Sequence, residues 1–400
     1  MDTNLTITGL AFDNFRNYQR LELREIARLV IIVGDNALGK TNIVEGIQLV
    51  SMIDSFRKPA WNDVVCRGCV QSRVSITYHL NGCDNSIQLD IHENKRRYQL
   101  NEKPKNTRDL LGLLPAVLFT PSDLQIVQGP AEKRRTCIDD LGCQLSRSFV
   151  DIKRDYTRVV KQKNSLLREE YVNPDILASW DRNLVKLGSS LMSHRIALFE
   201  RVSKKVQDIY HQIAPSESLS TSYIPSWCSL ESEAENGGSP LEKETGLDKE
   251  SLFEMFESMV EKHGPKEIRQ SRSLIGPHRD EISFFIDGKD ARRFGSQGQQ
   301  RSIALALKIA EVEVLREVVH ASPILLLDDV MSELDEKRRV MLLELIDTTT
   351  QTFITTTNLG YFDERTLKRA QIIRLPLNGG SHAGQANSPP PSPQAGHHGI

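Results

Sequence analysis

Runs of apolar residues divide the chain into segments of different periodicity. In residues 1–120, the alternation of Leu5-Thr6-Ile7-Thr8 and the apolar run Leu29-Val30-Ile31-Ile32-Val33 predict two strands. The pattern from Ile43 to Met52 predicts a helix directly after the second of them. Further strands are predicted to fill residues 73–80 and 87–100. The N-terminal part is therefore expected to be an α/β unit.

From residue 145 the apolar residues follow heptad spacing. The positions are Leu145, Phe149, Ile152, Tyr156 and Val159, and then Leu177, Trp180, Leu184, Leu187 and Leu191. Asn173 between the two series is predicted as a helix N-cap, with Pro174 in the first turn. The pattern predicts an antiparallel helical hairpin whose first helix, of roughly 25 residues, reaches about 37 Å.

Changes in composition mark the remaining boundaries. Residues 215–250 hold eight acidic residues and two lysines and are rich in Ser and Gly, which is typical of a flexible acidic loop. Strand and helix patterning returns over residues 267–376, and the uncharged, Pro-rich tail 377–400 is predicted to be disordered. We therefore expect an α/β unit built from residues 1–120 and 267–376, with a helical insertion over 121–266.

Charge and hydropathy narrow the class of protein. The chain has 51 Lys and Arg against 53 Asp and Glu, so it has no global basic excess. The acidic loop masks a net positive charge on the remainder, however, so near-neutrality does not argue against a nucleic-acid partner. No apolar run approaches the roughly 20 residues of a membrane span, and no export signal is evident. We therefore expect a cytoplasmic protein without a membrane partner.

One segment predicts a nucleotide site. Gly34-Asp35-Asn36-Ala37-Leu38-Gly39-Lys40-Thr41 matches the pattern G-x-x-x-x-G-K-[ST] and lies between a predicted strand and a predicted helix. Backbone N–H groups of such a loop and the helix N-terminus bind phosphates, while Lys40 is placed to reach the β and γ oxygens. The Thr41 hydroxyl is the expected Mg²⁺ ligand.

A second strand supplies acidic residues. The apolar run Ile324-Leu325-Leu326-Leu327 ends in Asp328 and Asp329. We expect Asp328 to hold the Mg²⁺ shell and Asp329 to orient or deprotonate the attacking water. The alternative for this run alone is an ordinary strand with a solvated end.

A third segment opens a long apolar helix. Gly295-Ser296-Gln297-Gly298-Gln299-Gln300-Arg301 is a Ser- and Gly-rich turn of the kind that binds anions, although such residues also simply cap helices. Its position a few tens of residues before Asp328 favours a role at the nucleotide.

The order of these features, followed by Ser332-Glu333-Leu334-Asp335, resembles the ATP-binding cassette heads of the SMC and Rad50 class. More specific strings resemble the bacterial RecF family over about residues 5–376, outside the 215–250 loop. They are Phe15-Arg16-Asn17-Tyr18, Gly276-Pro277-His278-Arg279-Asp280, Ser296-Gln297-Gly298-Gln299-Gln300-Arg301-Ser302, and Leu327-Asp328-Asp329-Val330-Met331-Ser332-Glu333-Leu334-Asp335.

This resemblance implies a two-lobed ATPase head with an inserted helical arm, which dimerises head to tail when ATP is bound and hydrolyses ATP slowly. Lys40 and Thr41 of one subunit would bind an ATP whose γ-phosphate meets Ser296, Gly298 and Gln299 of the other. The resemblance also implies a weak, DNA-dependent ATPase that acts as a switch. Its implied partners are single-stranded or gapped DNA, RecO and RecR, and its implied role is to promote RecA loading in replication, recombinational repair and the SOS response.

Two positions depart from the pattern of these relatives. Ala37 stands where most RecF proteins have Gly, which would strain the loop modestly if that position needs a positive φ. The run Phe353-Ile354-Thr355-Thr356-Thr357-Asn358 lacks the His common in the wider cassette class. Since Asp329 is also a methylene shorter than the Glu of fast cassette ATPases, slow hydrolysis is favoured.

A cluster of cations on the first arm helix is the candidate DNA surface. Phosphate contacts by such a face position DNA without reading its sequence. An ordinary solvated helix face is the alternative. The residues are Lys153, Arg154, Arg158, Lys161 and Lys163.

Two other functions share the Gly-rich loop. A transporter-type cassette ATPase would be expected to carry the usual Leu-Ser-Gly-Gly-Gln signature, which this chain lacks. A P-loop metabolite kinase would need neither the signature helix nor the arm.

Overall fold

The computed structural model describes residues 5–228, 249–345 and 350–376. The predicted tail 377–400 and most of the acidic loop lie outside them. The strands, in chain order, are β1 (Thr6–Phe15), β2 (Tyr18–Arg24), β3 (Leu29–Val33), β4 (Gln71–Leu80), β5 (Cys83–His92), β6 (Lys95–Leu100), β7 (Lys103–Lys105), β8 (Ala116–Phe119), β9 (Leu219–Ile224), β10 (Glu281–Ile286), β11 (Lys289–Asp290), β12 (Ile324–Asp328), β13 (Thr352–Thr356) and β14 (Gln371–Arg374).

The helices connect and cover these strands. They are α1 (Lys40–Ser51), α2 (Trp61–Val64), α3 (Thr107–Leu110), α4 (Ala131–Leu145), α5 (Arg147–Leu166), α6 (Pro174–Ile213), α7 (Lys249–Gln270), α8 (Ala291–Phe294), α9 (Gln297–Val319), α10 (Glu336–Leu345) and α11 (Glu364–Arg369). Single 3-10 turns lie at Asp123–Gln125, Val330–Ser332 and Leu359–Tyr361. In the described part of the chain, no helix is both long and apolar enough to span a bilayer.

A parallel sheet with the strand order β14-β3-β13-β12-β8 forms the centre of the head. All residues of β3, β12 and β13 are buried, because both faces of the sheet are covered. Ile31 and Leu327 pack on the side of α6 and α9, whereas Val30 and Leu326 pack on the side of α1. Continuous apolar runs therefore become strands with two apolar faces.

An antiparallel sheet with the order β2-β1-β4-β5-β6-β7 covers α1 on its other side. The alternating residues Val74, Ile76 and Tyr78 of β4 are buried against this core. Together the two sheets form the α/β unit predicted from the apolar pattern.

The helical arm is confirmed. Helices α5 and α6 pack along each other through residues of the two heptad series, including Tyr156, Val159, Leu184 and Leu191. The Asn173 side chain accepts hydrogen bonds from the backbone N–H groups of residues 175 and 176, and so caps α6 as predicted. Helix α5 has 20 residues rather than roughly 25, because a turn follows Leu166. The arm is accordingly shorter than expected.

The interpretation of 215–250 as a flexible loop is wrong for its first part. Strand β9 (Leu219–Ile224) pairs antiparallel with β10 in a three-stranded sheet, β11-β10-β9. The apolar face that this strand joins comes from Ile282, Phe284 and Ile286, which lie about 60 residues further along the chain. The acidic residues 231–248 lie outside the described residues.

Candidate nucleotide-binding site

The Gly-rich loop connects β3 to α1, as predicted, and its shape depends on Gly39. Gly39 caps α1 with a φ of 99°. A Cβ atom at this position would lie 2.5 Å from Asn17 Nδ2 and 2.8 Å from Tyr18 Oη. Both the left-handed conformation and the close approach therefore require glycine.

The strain expected at Ala37 is present. Ala37 adopts a φ of 67°, in the left-handed region that glycine reaches without a Cβ clash. This conformation costs an alanine about 1 kcal/mol, which the rest of the loop must offset.

The Lys40 side chain hydrogen-bonds to the backbone of the Gly-rich loop. Its Nζ donates to the carbonyl oxygens of Gly34, at 2.6 Å, and Asp35, at 2.9 Å, and the residue is only 6 % exposed. These bonds hold an ammonium group at the wall of a cavity of about 210 Å³. The cavity is lined by Asn17, Asn36, Ala37, Gly39, Lys40, Thr41, Asn42, Arg57 and Asp329.

The parallel sheet brings Asp328 to the Gly-rich loop. Strand β13 lies between β3 and β12, with Thr356 opposite Val33 and Thr355 opposite Asp328. Thr355 Oγ1 donates to Asp328 Oδ1 at 2.8 Å. Burial raises the pKa of Asp328, while hydrogen bonds from Thr355 and Thr41 lower it. The two predicted Mg²⁺ ligands, Thr41 and Asp328, thus lie side by side.

Asp329 faces the same cavity from the next position. It has a φ of 53°, and its backbone N–H donates to Thr355 Oγ1 at 2.9 Å. Its Oδ1 is among the buried side-chain oxygens of the described residues that have no hydrogen-bond partner. Burial raises the pKa of Asp329, and the Lys40 charge opposes that shift. An unpaired carboxylate oxygen at this position can accept a hydrogen bond or a proton from a molecule in the cavity.

Sequence reasoning missed the polar network that supports the cavity. Arg57 donates to Asn42 Oδ1 at 2.7 Å and to Glu45 Oε2 at 3.1 Å, and Asn42 Nδ2 donates to Asn17 Oδ1 at 2.7 Å. Arg16 donates two hydrogen bonds to the buried Glu45 carboxylate, at 2.6 and 2.9 Å. The string Phe15-Arg16-Asn17-Tyr18 was a signal for two of the five residues of this network, Arg16 and Asn17.

The turn before α9 is fixed by a capping box. Ser296 Oγ accepts from Gln299 N at 3.2 Å, and the Gln299 side chain accepts from Ser296 N at 2.7 Å. Gln299 Nε2 also donates to Glu217 Oε1 at 3.0 Å. Ser296 is exposed and Gly298 half-buried, and neither they nor Gln299 line the cavity described above. The structure therefore separates the two predicted halves of the nucleotide site within one chain.

Arg338 joins this turn to the segment Ser332-Glu333-Leu334-Asp335. Its guanidinium donates to the Gly298 carbonyl oxygen at 2.6 Å and to Ser302 Oγ at 2.8 Å, and it pairs with Asp335. Arg301 donates to the Glu333 carbonyl oxygen at 2.5 Å. These contacts connect the two segments directly.

The predicted DNA surface on α5 needs correction. Lys163 is fully buried, and its Nζ lies 2.5 Å from both Asp181 Oδ1 and Glu267 Oε2. It is not available to a DNA surface, because α7 covers it. Lys153 is paired with Asp139 and Asp140, and Arg154 with Asp151 and Asp155. Arg158 and Lys161 are exposed.

We expect Lys163→Met to lower the free energy of unfolding by about 3–5 kcal/mol, since it leaves buried Glu267 without its cation. Glu267 also accepts from the backbone N–H groups of Leu274, at 2.6 Å, and Ile275, at 3.2 Å, so the effect extends into that loop. Urea unfolding measures the change. Lys161→Met, an exposed control on the same helix, should change it by less than about 0.5 kcal/mol. Equal stability of the two variants would contradict the buried ion pair.

The string Gly276-Pro277-His278-Arg279-Asp280 is used structurally. Asp280 is fully buried and accepts from Ser226 N at 2.8 Å and from Tyr223 Oη. His278 Nδ1 lies 2.7 Å from Tyr156 Oη, and burial lowers the pKa of His278 to about 3. The segment 276–280 therefore connects β10 to the arm through the neutral His278 side chain and the buried hydrogen bonds of Asp280.

Comparisons with known proteins agree with this geometry. The family described as the RecF/RecN/SMC N terminal domain matches residues 6–374. A DNA replication and repair protein RecF of Gloeobacter violaceus is 34% identical over 391 residues, covering 96% of this chain and 99% of that protein. The RecF of a Cyanothece strain is 35% identical over 376 residues, covering 92% of this chain and 96% of that protein.

Solved structures give the same result. The recombination mediator protein RecF-ATP of the RecFOR pathway has a TM-score of 0.78 at 28% identity, covering 90% of this chain and 94% of that one. An SMC head bound to the C-terminal winged-helix domain of ScpA has a TM-score of 0.51 at 16% identity, covering 92% of this chain and 93% of that one. The predicted fold, an ATP-binding cassette head with a helical arm, is confirmed.

Proposed function

The chain belongs to the RecF family of DNA replication and repair proteins, and on that premise we propose that it is an ATP-gated DNA-binding switch. In this proposal ATP binding drives two copies together head to tail, and slow hydrolysis releases them. The protein acts in the cytoplasm at single-stranded or gapped DNA, with RecO and RecR as partners in loading RecA during recombinational repair and the SOS response.

The observation that carries the proposal is that Lys40, Thr41 and Asp329 line one cavity, with Asp328 hydrogen-bonded to Thr41 beside it. The loop ammonium and the N-terminus of α1 fit a triphosphate. Thr41 and Asp328 offer the oxygen pair on which Mg²⁺ is held in such sites, and the ion would neutralise charge on the phosphates. The solved structure of RecF-ATP, at 28% identity, supports ATP as the nucleotide.

The turn before α9 supports the second copy in this proposal. Ser296, Gly298 and Gln299 lie outside the cavity, but their helix N-terminus is exposed and pre-ordered by the capping box. An anion from another molecule can therefore reach it. We infer that this turn contacts the γ-phosphate of the ATP bound by the partner.

The residues of this chain favour slow turnover. The unpaired Oδ1 of Asp329 can accept a hydrogen bond from a water molecule in the cavity. The Asp329 side chain is, however, one methylene shorter than that of glutamate. The next strand, β13, offers threonine hydroxyls and no imidazole, and Thr355 is already committed to Asp328 and to the Asp329 backbone. We therefore infer a weak ATPase whose dimerisation depends on whether ATP is bound.

DNA binding measured against salt, with ATP and without it, tests the switch on the arm. We expect tighter binding with ATP. Arg158→Glu combined with Lys161→Glu should weaken binding and reduce the slope of log K against log[salt] by about 1.4 on single-stranded DNA, about 0.7 for each lost phosphate contact. The two positions are exposed one helical turn apart on α5, and within the described residues neither forms an ion pair.

A charge-matched control uses Arg365→Glu with Lys368→Glu on α11, which are also exposed. That pair changes net charge equally but lies away from the arm. An equal loss in both double variants would indicate a general charge effect and would remove the arm from the DNA surface. ATP-independent DNA binding by the wild-type protein would contradict the switch itself.

A further inference from the structure

One exposed aromatic ring stands beside the turn that precedes α9. Phe294 is 71 % exposed and lies two residues before Ser296. Single exposed apolar residues are common on proteins and need no function. Phe294 differs from other exposed apolar residues in its position beside this turn and in the fixed backbone that presents it.

The backbone that presents Phe294 is fixed from both sides. Asp290 caps the short helix α8 by accepting from Arg292 N at 2.7 Å, and Ala291 is buried. Gly295 N donates to the Ala291 carbonyl oxygen at 3.1 Å, and a Cβ on Gly295 would lie 2.5 Å from that oxygen. The chain therefore turns tightly between Phe294 and Ser296. The ring is held out to solvent by a pre-organised backbone, which lowers the entropy cost of binding through it.

The short distance between Phe294 and Ser296 limits which partner surface the Phe294 ring can contact. Two residues span at most about 7 Å, whereas a standard interface of roughly 800 Å² on each partner has a radius of about 16 Å. A dimer in which Ser296 contacts the partner's nucleotide therefore brings the Phe294 backbone within reach of the same interface.

The charges around the ring fit the same partner surface. Arg293 is exposed, and the Arg292 side chain is half exposed at 3.9 Å from Glu281. The opposing surface would be the mouth of the nucleotide cavity, where Asp329 lies with Lys40 and Arg57 and where a bound triphosphate would supply the negative charge. Arginines beside an aromatic ring are the side chains most enriched at energetic centres of interfaces.

We propose that Phe294 is the apolar anchor with which one copy of this chain binds the nucleotide-loaded face of a second copy. This rests on the proposed ATP-dependent dimer and adds a residue to it that contributes to association, not to nucleotide binding. Phe294 is accordingly a positioning residue for the dimer.

Sedimentation velocity of the full chain with Mg²⁺ and a non-hydrolysable ATP analogue tests the anchor. Phe294→Ala should weaken dimerisation by roughly 10- to 50-fold, as expected for an interface hot spot. Binding of the analogue by the monomer at low protein concentration should be unchanged, because Phe294 does not line the cavity. Phe294→Leu should recover part of the dimer, because it restores apolar area.

Tyr171→Ala is the matched control, since Tyr171 is an equally exposed aromatic, 73 % exposed, beyond the end of α5. It should dimerise as the wild type does. If wild-type protein fails to dimerise with the analogue, the proposed function fails and the anchor with it. If wild type and Phe294→Ala dimerise equally, the anchor alone is wrong. If Phe294→Ala dimerises as the wild type does but binds DNA more weakly, the Phe294 ring contacts nucleic acid and not a second copy.

Discussion

Lys40→Ala is expected to lower ATP affinity by roughly 100- to 1,000-fold, the equivalent of ~3–4 kcal/mol. In the proposed site the Gly-rich loop would place the Lys40 ammonium against the phosphates, where charge-assisted hydrogen bonds are among the strongest contacts a cavity can offer. Calorimetric titration with ATP and Mg²⁺ measures the loss. DNA binding in the variant should then no longer respond to ATP.

Two comparisons make the result specific. Lys204→Ala removes the same side chain from an exposed position on α6 and should leave ATP affinity unchanged. Thermal unfolding without nucleotide should show only a small effect of Lys40→Ala, because its two bonds are to neighbouring carbonyl groups of one loop. If the ATP affinity of Lys40→Ala were within threefold of that of the wild type, the nucleotide would not bind in this cavity.

Local sequence signals predicted the elements that form the candidate nucleotide site. The loop from Gly34 to Thr41, its flanking strand and helix, and the acidic end of β12 are each specified by neighbouring residues. The same is true of the arm, since the heptads lie within its two helices and the Asn173 cap directly precedes α6. Patterns with short range are sufficient for these parts.

Contacts between distant segments explain the errors and omissions. Lys163 reads as one more cation on an exposed helix face until Glu267, 104 residues away, packs against it. Arg57 was missed because its partners, Asn42 and Glu45, make it part of the cavity only after the loop that follows α1 folds back. Residue type does not distinguish a paired, buried cation from a solvated one, whereas tertiary packing does.

Ser296→Arg is expected to leave ATP binding intact and to block dimerisation, with a shift of the dimer dissociation constant by more than about 100-fold. The substitution places a bulky guanidinium at an exposed helix N-terminus, where we infer that the partner's γ-phosphate docks. Steric exclusion from a closely packed interface, together with loss of the hydroxyl, removes the productive geometry. Light scattering with and without ATP and Mg²⁺ reads out the mass directly.

The capping role of Ser296 must be separated from its role in the partner's site. Loss of the cap costs about 1 kcal/mol of stability in any variant without a side-chain acceptor, so Ser296→Ala supplies the cap loss without the added bulk. Val318→Arg adds the same guanidinium to an exposed position near the opposite end of α9 and should dimerise normally. Normal dimerisation of Ser296→Arg would show that the turn does not act across the interface. Loss of ATP binding in the monomer would instead place the turn in its own subunit's site, so the two measurements together decide which copy each half of the site serves.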